Sequence, residues 1–154
     1  MTTIERRLEE LGITLPIPAK PVANYVPWVR TGNLVFVAGQ GSLQDGKYLY
    51  LGQLGLNLSI VEGAAAARLC AINILAQLRE ACGGDLDRVH QIVKLVGFVN
   101  CTADFVDHPK VINGASDLMV DVFGDRGRHA RSAVGAPSLP LNFSVEIEAI
   151  VEIG

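Results

Sequence analysis

The strongest periodic signal in the chain is a long amphipathic stretch near its centre. Apolar residues recur about every 3.6 positions over residues 59–81, and the pair Gly83-Gly84 follows the last of them. This spacing predicts a long helix, whose many alanines would allow close approach to a sheet. A shorter amphipathic helix is predicted over residues 3–11, with Gly12 as its stop.

A second long helix is predicted over residues 105–123. Thr102 or Asp104 would cap its first turn, because short polar side chains accept hydrogen bonds from unpaired N–H groups. Gly124 follows the last apolar residue and predicts the C-terminal end. The dipeptide His108-Pro109 is typical of a loop or a helix boundary, since a residue before proline disfavours the helical conformation.

Strand-like segments flank these helices. Residues 25–30 and 34–38 are separated by Thr31-Gly32-Asn33, which predicts a hairpin. Asp45-Gly46 marks another turn, with a possible strand over residues 47–51. Residues 89–100 are continuously β-rich, as expected of a buried strand.

The chain ends in two more predicted strands, over residues 130–134 and 142–153, joined by a turn that contains proline. The order of elements predicts one α+β domain over residues 1–154, with helices on one face of a mixed sheet. Residues 1–24 would add a helix and a proline-rich arm, since residues 15–27 hold four of the seven prolines.

The last strand alternates between apolar and acidic positions. One face carries only apolar residues, and the other carries Glu146, Glu148 and Glu152. Arg131 opens the preceding strand, and strands of a hairpin lie about 5 Å apart. Arg131 and Glu146 are therefore candidates for one pocket, possibly across a subunit boundary. A plain salt bridge explains the same pattern equally well.

The amino-acid composition indicates where the protein is found and whether it assembles. The chain has 154 residues, of which 49% are hydrophobic, and its mean hydropathy is +0.32. No apolar run reaches the ~20 residues of a membrane span, and the N-terminus is charged, unlike a signal peptide. We expect a soluble cytoplasmic protein, and the apolar surplus suggests a subunit interface.

Charge and cysteines narrow the class of function. The net charge is −3, with no basic cluster, so nucleic acid is not expected as the main partner. Cys70, Cys82 and Cys101 are odd in number and lack CxxC spacing, which favours small buried hydrophobes over a redox site.

Two other motifs suggest a nucleotide site and a metal site, but the neighbouring residues argue against both. Gly39-Gln40-Gly41 follows a strand, but Asp45-Gly46 turns the chain where a dinucleotide-binding helix would begin. Asp104, Asp107 and His108 lack a second histidine at ligand spacing. We therefore expect neither a metal nor another cofactor, and we interpret His90 and His129 as structural.

Two longer motifs carry a family resemblance. "NYVPWVRTGNLVFVAGQ" and "HARSAVGAPSLPLNFSVEIEAIVEI" resemble the marks of the YjgF/YER057c/UK114 family, also called RidA or endoribonuclease L-PSP. Both occur in the family's order, and the resemblance runs from Tyr25 to the C-terminus. It implies a fold like that of the bacillus-type chorismate mutase, assembled as a homotrimer with clefts between subunits.

The resemblance also implies roles for single residues. Arg131 would hold a ligand carboxylate in a two-pronged contact, and Glu146 would orient the water that hydrolyses a 2-imino acid or its enamine. A guanidinium fork suits a carboxylate, and an ionised glutamate suits activation of water. Tyr25, Gly39 and Asn113 match further positions of the family site.

Two matched positions depart from the family pattern. Ala133 stands where a cysteine is frequent, and Ser116 stands where a tyrosine is common, although both remain in the implied substrate-binding set. The first hypothesis is a hydrolytic deaminase that releases ammonia and a 2-keto acid. The second is a trimer that binds a small carboxylate without turnover. Ribonuclease activity ranks below both, because the chain is acidic.

Overall fold

A mixed sheet covered on one face by two helices forms the centre of the molecule. The computed structural model describes residues 1–18 and 20–154. Its helices are α1 (Thr3–Glu10), α2 (Ile60–Ala81) and α3 (His108–Phe123). Its strands are β1 (Trp28–Thr31), β2 (Leu34–Gln40), β3 (Leu43–Gln44), β4 (Lys47–Tyr48), β5 (Val89–Asn100), β6 (Ala130–Ala136) and β7 (Val145–Ile153).

The strand order of the main sheet is β1-β2-β7-β5-β6, and β3 and β4 form a separate small hairpin. β5 and β6 run parallel and are connected through α3, whereas the other neighbours are antiparallel. This arrangement confirms the predicted α+β class and the mixed sheet. The predicted arm over residues 15–27 has no helix or strand in its described part, and Ala19 lies outside the described residues.

The last two strands do not form the expected hairpin. β5 lies between β6 and β7 and pairs with both of them. β7 takes a central place because one complete face of it is apolar and is buried in the core. β6 has no fully buried residue and forms the edge of the sheet. The inferred adjacency of Arg131 and Glu146 across a hairpin is therefore wrong.

Helix α2 forms as its sequence predicts. Ser59 and Glu62 make a capping box, in which each side chain accepts a hydrogen bond from the other residue's backbone N–H. The helix is 22 residues long and has a mean hydropathy of 1.3 in its most apolar window, values that would also suit a membrane span. Most of that window is buried inside the molecule, so burial in the core accounts for its apolar character.

Helix α3 begins later than predicted. Its first residue is His108, and Asp107 precedes it without a side-chain capping bond. The Thr102 hydroxyl instead donates to the Asp104 carboxylate, at 2.7 Å, within a separate turn. Pro109 explains the late start, because proline has no N–H to bond back into an earlier turn and is tolerated only near a helix start.

Close contact between α2 and α3 depends on one glycine. A Cβ atom at Gly114 would lie 2.0 Å from the backbone oxygen of Ala64. The absence of a side chain there lets the two helices meet backbone to backbone. This contact sets the height of α3 above the sheet, and so the position of Asn113 and Ser116 relative to β6.

Candidate functional site

The residues singled out from the sequence fall into two groups on opposite faces of the sheet. Arg131 is in register with Leu95, which is fully buried on the helix-covered side. Glu146 is in register with Phe98 and alternates with the buried residues of β7, so it lies on the side away from the helices. Within one chain, the two residues therefore do not share a pocket.

The first group surrounds the Arg131 side chain. Its Nη1 atom donates to Oδ1 of Asn113 at 2.8 Å and to Oγ of Ser116 at 3.1 Å. Asn113 and Ser116 are three residues apart in α3, so they lie on the same face of the helix. The structure brings these three residues together. Ala133 follows two positions along β6, opposite Gly97, and packs against the core.

His129 belongs to the same group, although the sequence analysis interpreted it as structural. Its Nε2 atom lies 2.9 Å from Oγ of Ser116, and its Nδ1 atom lies 2.7 Å from the carbonyl oxygen of Gly127. Its sequence position carried a signal. His129 stands two residues before Arg131, and alternate residues of an extended segment point to the same side.

No carboxylate neutralises Arg131 within residues 1–18 and 20–154. The ion pairs found there are Arg7–Glu10, Lys110–Asp107 and Arg128–Asp125, all on the surface. The salt bridge from Arg131 to Glu146 or Glu148, which the strand pattern left open, is not formed within the chain. The guanidinium instead donates hydrogen bonds to neutral acceptors, the side chains of Asn113 and Ser116.

The second group lines a cavity of about 400 Å³. Glu146, Gly39 and Tyr25, three of the residues that the resemblance named, contribute to its wall. Sequence reasoning missed the remaining walls, because they come from separate parts of the chain. These are the arm residues Lys20, Pro21 and Val22 and the aromatic residues Tyr48 and Phe143, together with Pro27, Ala38, Gln40, Gly41, Leu43, Asn73, Pro140 and Leu141.

Glu146 is held in a setting that disfavours its charge. Burial at the cavity wall raises the pKa of the Glu146 carboxyl above its usual value, and the nearby negative charge of Glu148 raises it further. Glu148 follows two positions later on the same face of β7. A half-buried carboxyl with a raised pKa is suited to accept a proton from water.

Gly39 makes room for the Glu146 carboxyl. A Cβ atom at position 39 would lie 2.7 Å from Oε2 of Glu146. The β2–β7 pairing is irregular between Val37 and Gln40, so β2 bulges where it passes Glu146. The glycine of the family motif thus has a local reason, because it leaves space for the Glu146 carboxyl.

A smaller cavity of about 330 Å³ lies at the far ends of β5 and β6. Cys101 and His108 line it, with Sγ and Nε2 3.4 Å apart. Burial raises the pKa of the Cys101 thiol, which keeps the sulfur protonated at neutral pH. Among the described residues, no three histidine, cysteine or carboxylate side chains cluster closely enough to hold a metal ion.

Comparison with known families places nearly the whole chain in one group. The family model for YjgF/chorismate mutase-like endoribonuclease matches residues 5–153. The Trypanosoma cruzi protein TCP17 is 46% identical over 151 residues, which cover 97% of this chain and 94% of TCP17.

Two further relatives bear on fold and chemistry. The crystal structure of Atu1372 from Agrobacterium tumefaciens, a protein of unknown function, matches with a TM-score of 0.93 at 50% identity, covering 98% of this chain and 92% of Atu1372. A 2-iminobutanoate/2-iminopropanoate deaminase from Dermatophagoides farinae is 30% identical over 146 residues, covering 92% of this chain and 94% of the deaminase.

Proposed function

Since this chain belongs to the YjgF/chorismate mutase-like endoribonuclease family, we propose that it is a hydrolytic deaminase of reactive 2-imino acids and their enamines. The reaction adds water to the imine carbon and breaks the C–N bond, which releases ammonia and a 2-keto acid. The observation that carries this proposal is the combined presence of a cavity-facing, partly desolvated Glu146 and of an Arg131 whose charge no carboxylate among residues 1–18 and 20–154 neutralises. The deaminase relative from Dermatophagoides farinae supports the same chemistry.

Arg131 would bind the carboxylate that all 2-imino acids carry. Its contacts to Asn113 and Ser116 are neutral, so they orient the guanidinium without cancelling its charge. A planar guanidinium grips a carboxylate through two parallel hydrogen bonds. This interaction places the imine carbon at a fixed distance from the arginine.

Glu146 would act on the water. Its raised pKa brings the carboxyl closer to neutral pH, where a general base works best. The glutamate takes a proton as the water oxygen attacks the imine carbon, and it passes that proton to the nitrogen to give a carbinolamine. It then takes the remaining hydroxyl proton and passes it to the nitrogen, so that the carbonyl forms as the C–N bond breaks and ammonia leaves.

One active cleft requires two chains, because Arg131 and Glu146 face opposite sides of the same sheet. The side that carries Glu146 also exposes apolar residues that have no cover in one chain. Val29 is 52% exposed, Phe36 42% and Val134 44%. A second copy packed on this face would bury them and bring its own Arg131 toward Glu146. We propose the homotrimer that the family resemblance implies, in the cytoplasm.

The test measures ammonia released from 2-iminobutyrate that an amino-acid oxidase generates in the same cuvette. Wild-type protein should speed this release above the uncatalysed rate. Arg131→Lys should weaken binding of 2-ketobutyrate by about 10- to 100-fold, because a lysine keeps the charge and loses the fork. Glu146→Gln should keep that binding and lose turnover. Wild-type ammonia release no faster than the buffer rate would refute the deaminase.

A trimer that binds small carboxylates without turnover is the second candidate. Ser116 and Ala133 favour it, since they replace a tyrosine and a cysteine that are common at these positions in the family. Its signature is 2-ketobutyrate binding that depends on Arg131 while no ammonia is released. Glu146→Gln would then leave every measured property of the ligand complex unchanged.

A further inference from the structure

We propose that His129 is a positioning residue, which acts through the Ser116 hydroxyl to orient the Arg131 guanidinium for a carboxylate. The inference rests on the proposed function, in which Arg131 binds the substrate. It assigns a role to a histidine that opens the second quoted motif and to which the family resemblance gave no part in the site. His129 itself does not touch the carboxylate.

The hydrogen bonds around Ser116 run in one consistent direction. Nη1 of Arg131 is always a donor, so Oγ of Ser116 accepts from it at 3.1 Å. The Ser116 hydroxyl proton is then free to point at Nε2 of His129, 2.9 Å away. This bond requires Nε2 to be the unprotonated nitrogen of the ring.

The other side of the imidazole satisfies that requirement. Nδ1 of His129 lies 2.7 Å from the carbonyl oxygen of Gly127, which only accepts hydrogen bonds. The neutral ring therefore carries its proton on Nδ1, which leaves Nε2 as the acceptor for Ser116. Hydrogen bonds are therefore donated in one direction, from Arg131 to Ser116, from Ser116 to His129, and from His129 to the backbone carbonyl of Gly127.

We call this series of hydrogen bonds, from Arg131 through Ser116 and His129 to Gly127, the relay. Gly127 is held in place by its packing. It is buried, and a Cβ atom there would lie 2.1 Å from the carbonyl oxygen of Met119 in α3. Nη1 of Arg126 donates to the carbonyl of Val89 at 2.7 Å, which ties the same segment to β5. The residue whose carbonyl contacts His129 thus packs closely against the helix that carries Ser116.

The relay determines which edge of the guanidinium remains for a ligand. Nη1 has two hydrogens, and Asn113 and Ser116 take one each. A two-pronged contact then uses the Nε–H and the Nη2 edge. Without His129, the Ser116 hydroxyl loses its partner and can rotate, and the guanidinium loses one of the two contacts that fix its plane.

The experiment compares four variants with wild type, namely His129→Ala, His129→Gln, Ser116→Ala and the double variant His129→Ala/Ser116→Ala. We measure KM and kcat for 2-iminobutyrate and, independently of turnover, the Kd for 2-ketobutyrate. His129→Ala should raise both KM and Kd by about 3- to 10-fold, the range of one neutral hydrogen bond, with kcat within about 2-fold. Glutamine at position 129 reaches Ser116 with an amide oxygen and should restore most of the affinity.

The double variant gives the sharpest result. If His129 acts only through Ser116, removing both side chains weakens binding no more than Ser116→Ala alone. His90→Ala is the matched control, because His90 is an exposed histidine at the start of β5. It should leave KM and Kd at their wild-type values. Melting temperatures of all variants check that each is folded.

Failure of this inference is distinguishable from failure of the proposed function. A KM and a Kd that are insensitive to His129→Ala, or losses of affinity at His129 and Ser116 that simply add, overturn the positioning role and leave the deaminase intact. Binding of 2-ketobutyrate that depends on His129, without any ammonia release, overturns the deaminase and supports the relay. A wild-type protein that does neither overturns both.

Discussion

At the scale of single residues, the surroundings of Glu146 reduce the stability of the fold. Burial and the charge of Glu148 raise the pKa of its carboxyl. A carboxyl with a raised folded-state pKa ionises less readily in the folded chain than in the unfolded one, so its negative charge destabilises the fold at neutral pH. The site keeps a group that the fold alone would not favour.

Replacing this carboxyl should therefore stabilise the protein. We expect Glu146→Gln to raise the melting temperature at pH 7, because the amide carries no charge to desolvate. The difference should shrink as the pH falls through the raised pKa, and it should vanish below the unfolded value near 4.5, where the wild-type carboxyl is protonated in both states. Thermal denaturation from pH 7 to pH 4 measures both effects.

Glu152→Gln is the matched control, since Glu152 lies on the same face of β7 farther along the strand. It should show no comparable pH-dependent gain. A Glu146→Gln variant that melts below wild type at pH 7 would contradict the desolvation argument and would assign the glutamate a structural role.

Gly39 makes a second residue-scale prediction. An added methyl group at position 39 would meet the end of the flexible Glu146 side chain, at 2.7 Å from Oε2, rather than the backbone. Gly39→Ala should therefore displace the carboxylate and leave the fold nearly as stable. We expect kcat for ammonia release to fall by about 10- to 100-fold, as for a misplaced catalytic group, with little change in melting temperature.

The Gly39→Ala/Glu146→Gln double variant separates this cause from a general disturbance of β2. It should be no less active than Glu146→Gln alone, because the displaced group is already gone. A large drop in melting temperature for Gly39→Ala would instead indicate that the β2 bulge itself had been damaged.

At the scale of elements, the contact between α2 and α3 positions the residues around Arg131. Gly114 lies directly after Asn113 and two residues before Ser116 in α3. Because it has no side chain, α3 packs on the backbone of α2. Helix propensity alone favours alanine over glycine by about 1 kcal/mol. At position 114, however, the methyl group of alanine would clash with the backbone oxygen of Ala64. This clash outweighs the helix propensity, because backbone moves less easily than a side chain.

Gly114→Ala should accordingly destabilise the chain by about 1–3 kcal/mol, the usual cost of overpacking. Chemical denaturation measures this loss. Asp117→Ala is the control, because it introduces alanine at an exposed position of the same helix without a backbone clash. It should leave the free energy of unfolding nearly unchanged. Gly114→Ala that proved as stable as wild type would mean that the two helices separate without cost.

At the scale of the whole molecule, the opposite placement of Arg131 and Glu146 makes assembly part of the proposed chemistry. In the proposed trimer, one chain would supply Arg131 to one cleft and Glu146 to another. The activity of a mixture of two inactive variants therefore shows whether a cleft is shared between chains.

We expect Arg131→Ala and Glu146→Ala proteins, unfolded together and refolded as a mixture, to regain ammonia release that neither has alone. Random assembly would leave roughly a quarter of the clefts with both wild-type residues. Light scattering of the wild type should give the mass of a trimer. Mixtures that stay inactive, or a wild type that remains a monomer at micromolar concentration, would contradict the shared cleft.

Local sequence determined the elements and the family. The strand Val89–Asn100 has its predicted bounds, and α2 begins one residue after the predicted start, because periodicity and capping act over neighbouring residues. The two motifs led to the family without any geometry. The one-face alternation of β7 was also readable, since side chains of a strand alternate regardless of what covers them.

Tertiary structure alone decided which strands are neighbours and what surrounds each side chain. β5 lies between β6 and β7, and its register with each strand places Arg131 and Glu146, 15 positions apart in sequence, on opposite faces of the sheet. The relay from His129 to Arg131 and the cavity beside Glu146 depend on contacts between distant segments, such as Gly127 against Met119 and the arm residue Lys20 beside the cavity. Strand order follows from the burial of whole faces at once, and that is a property of the packed molecule rather than of any stretch of its sequence.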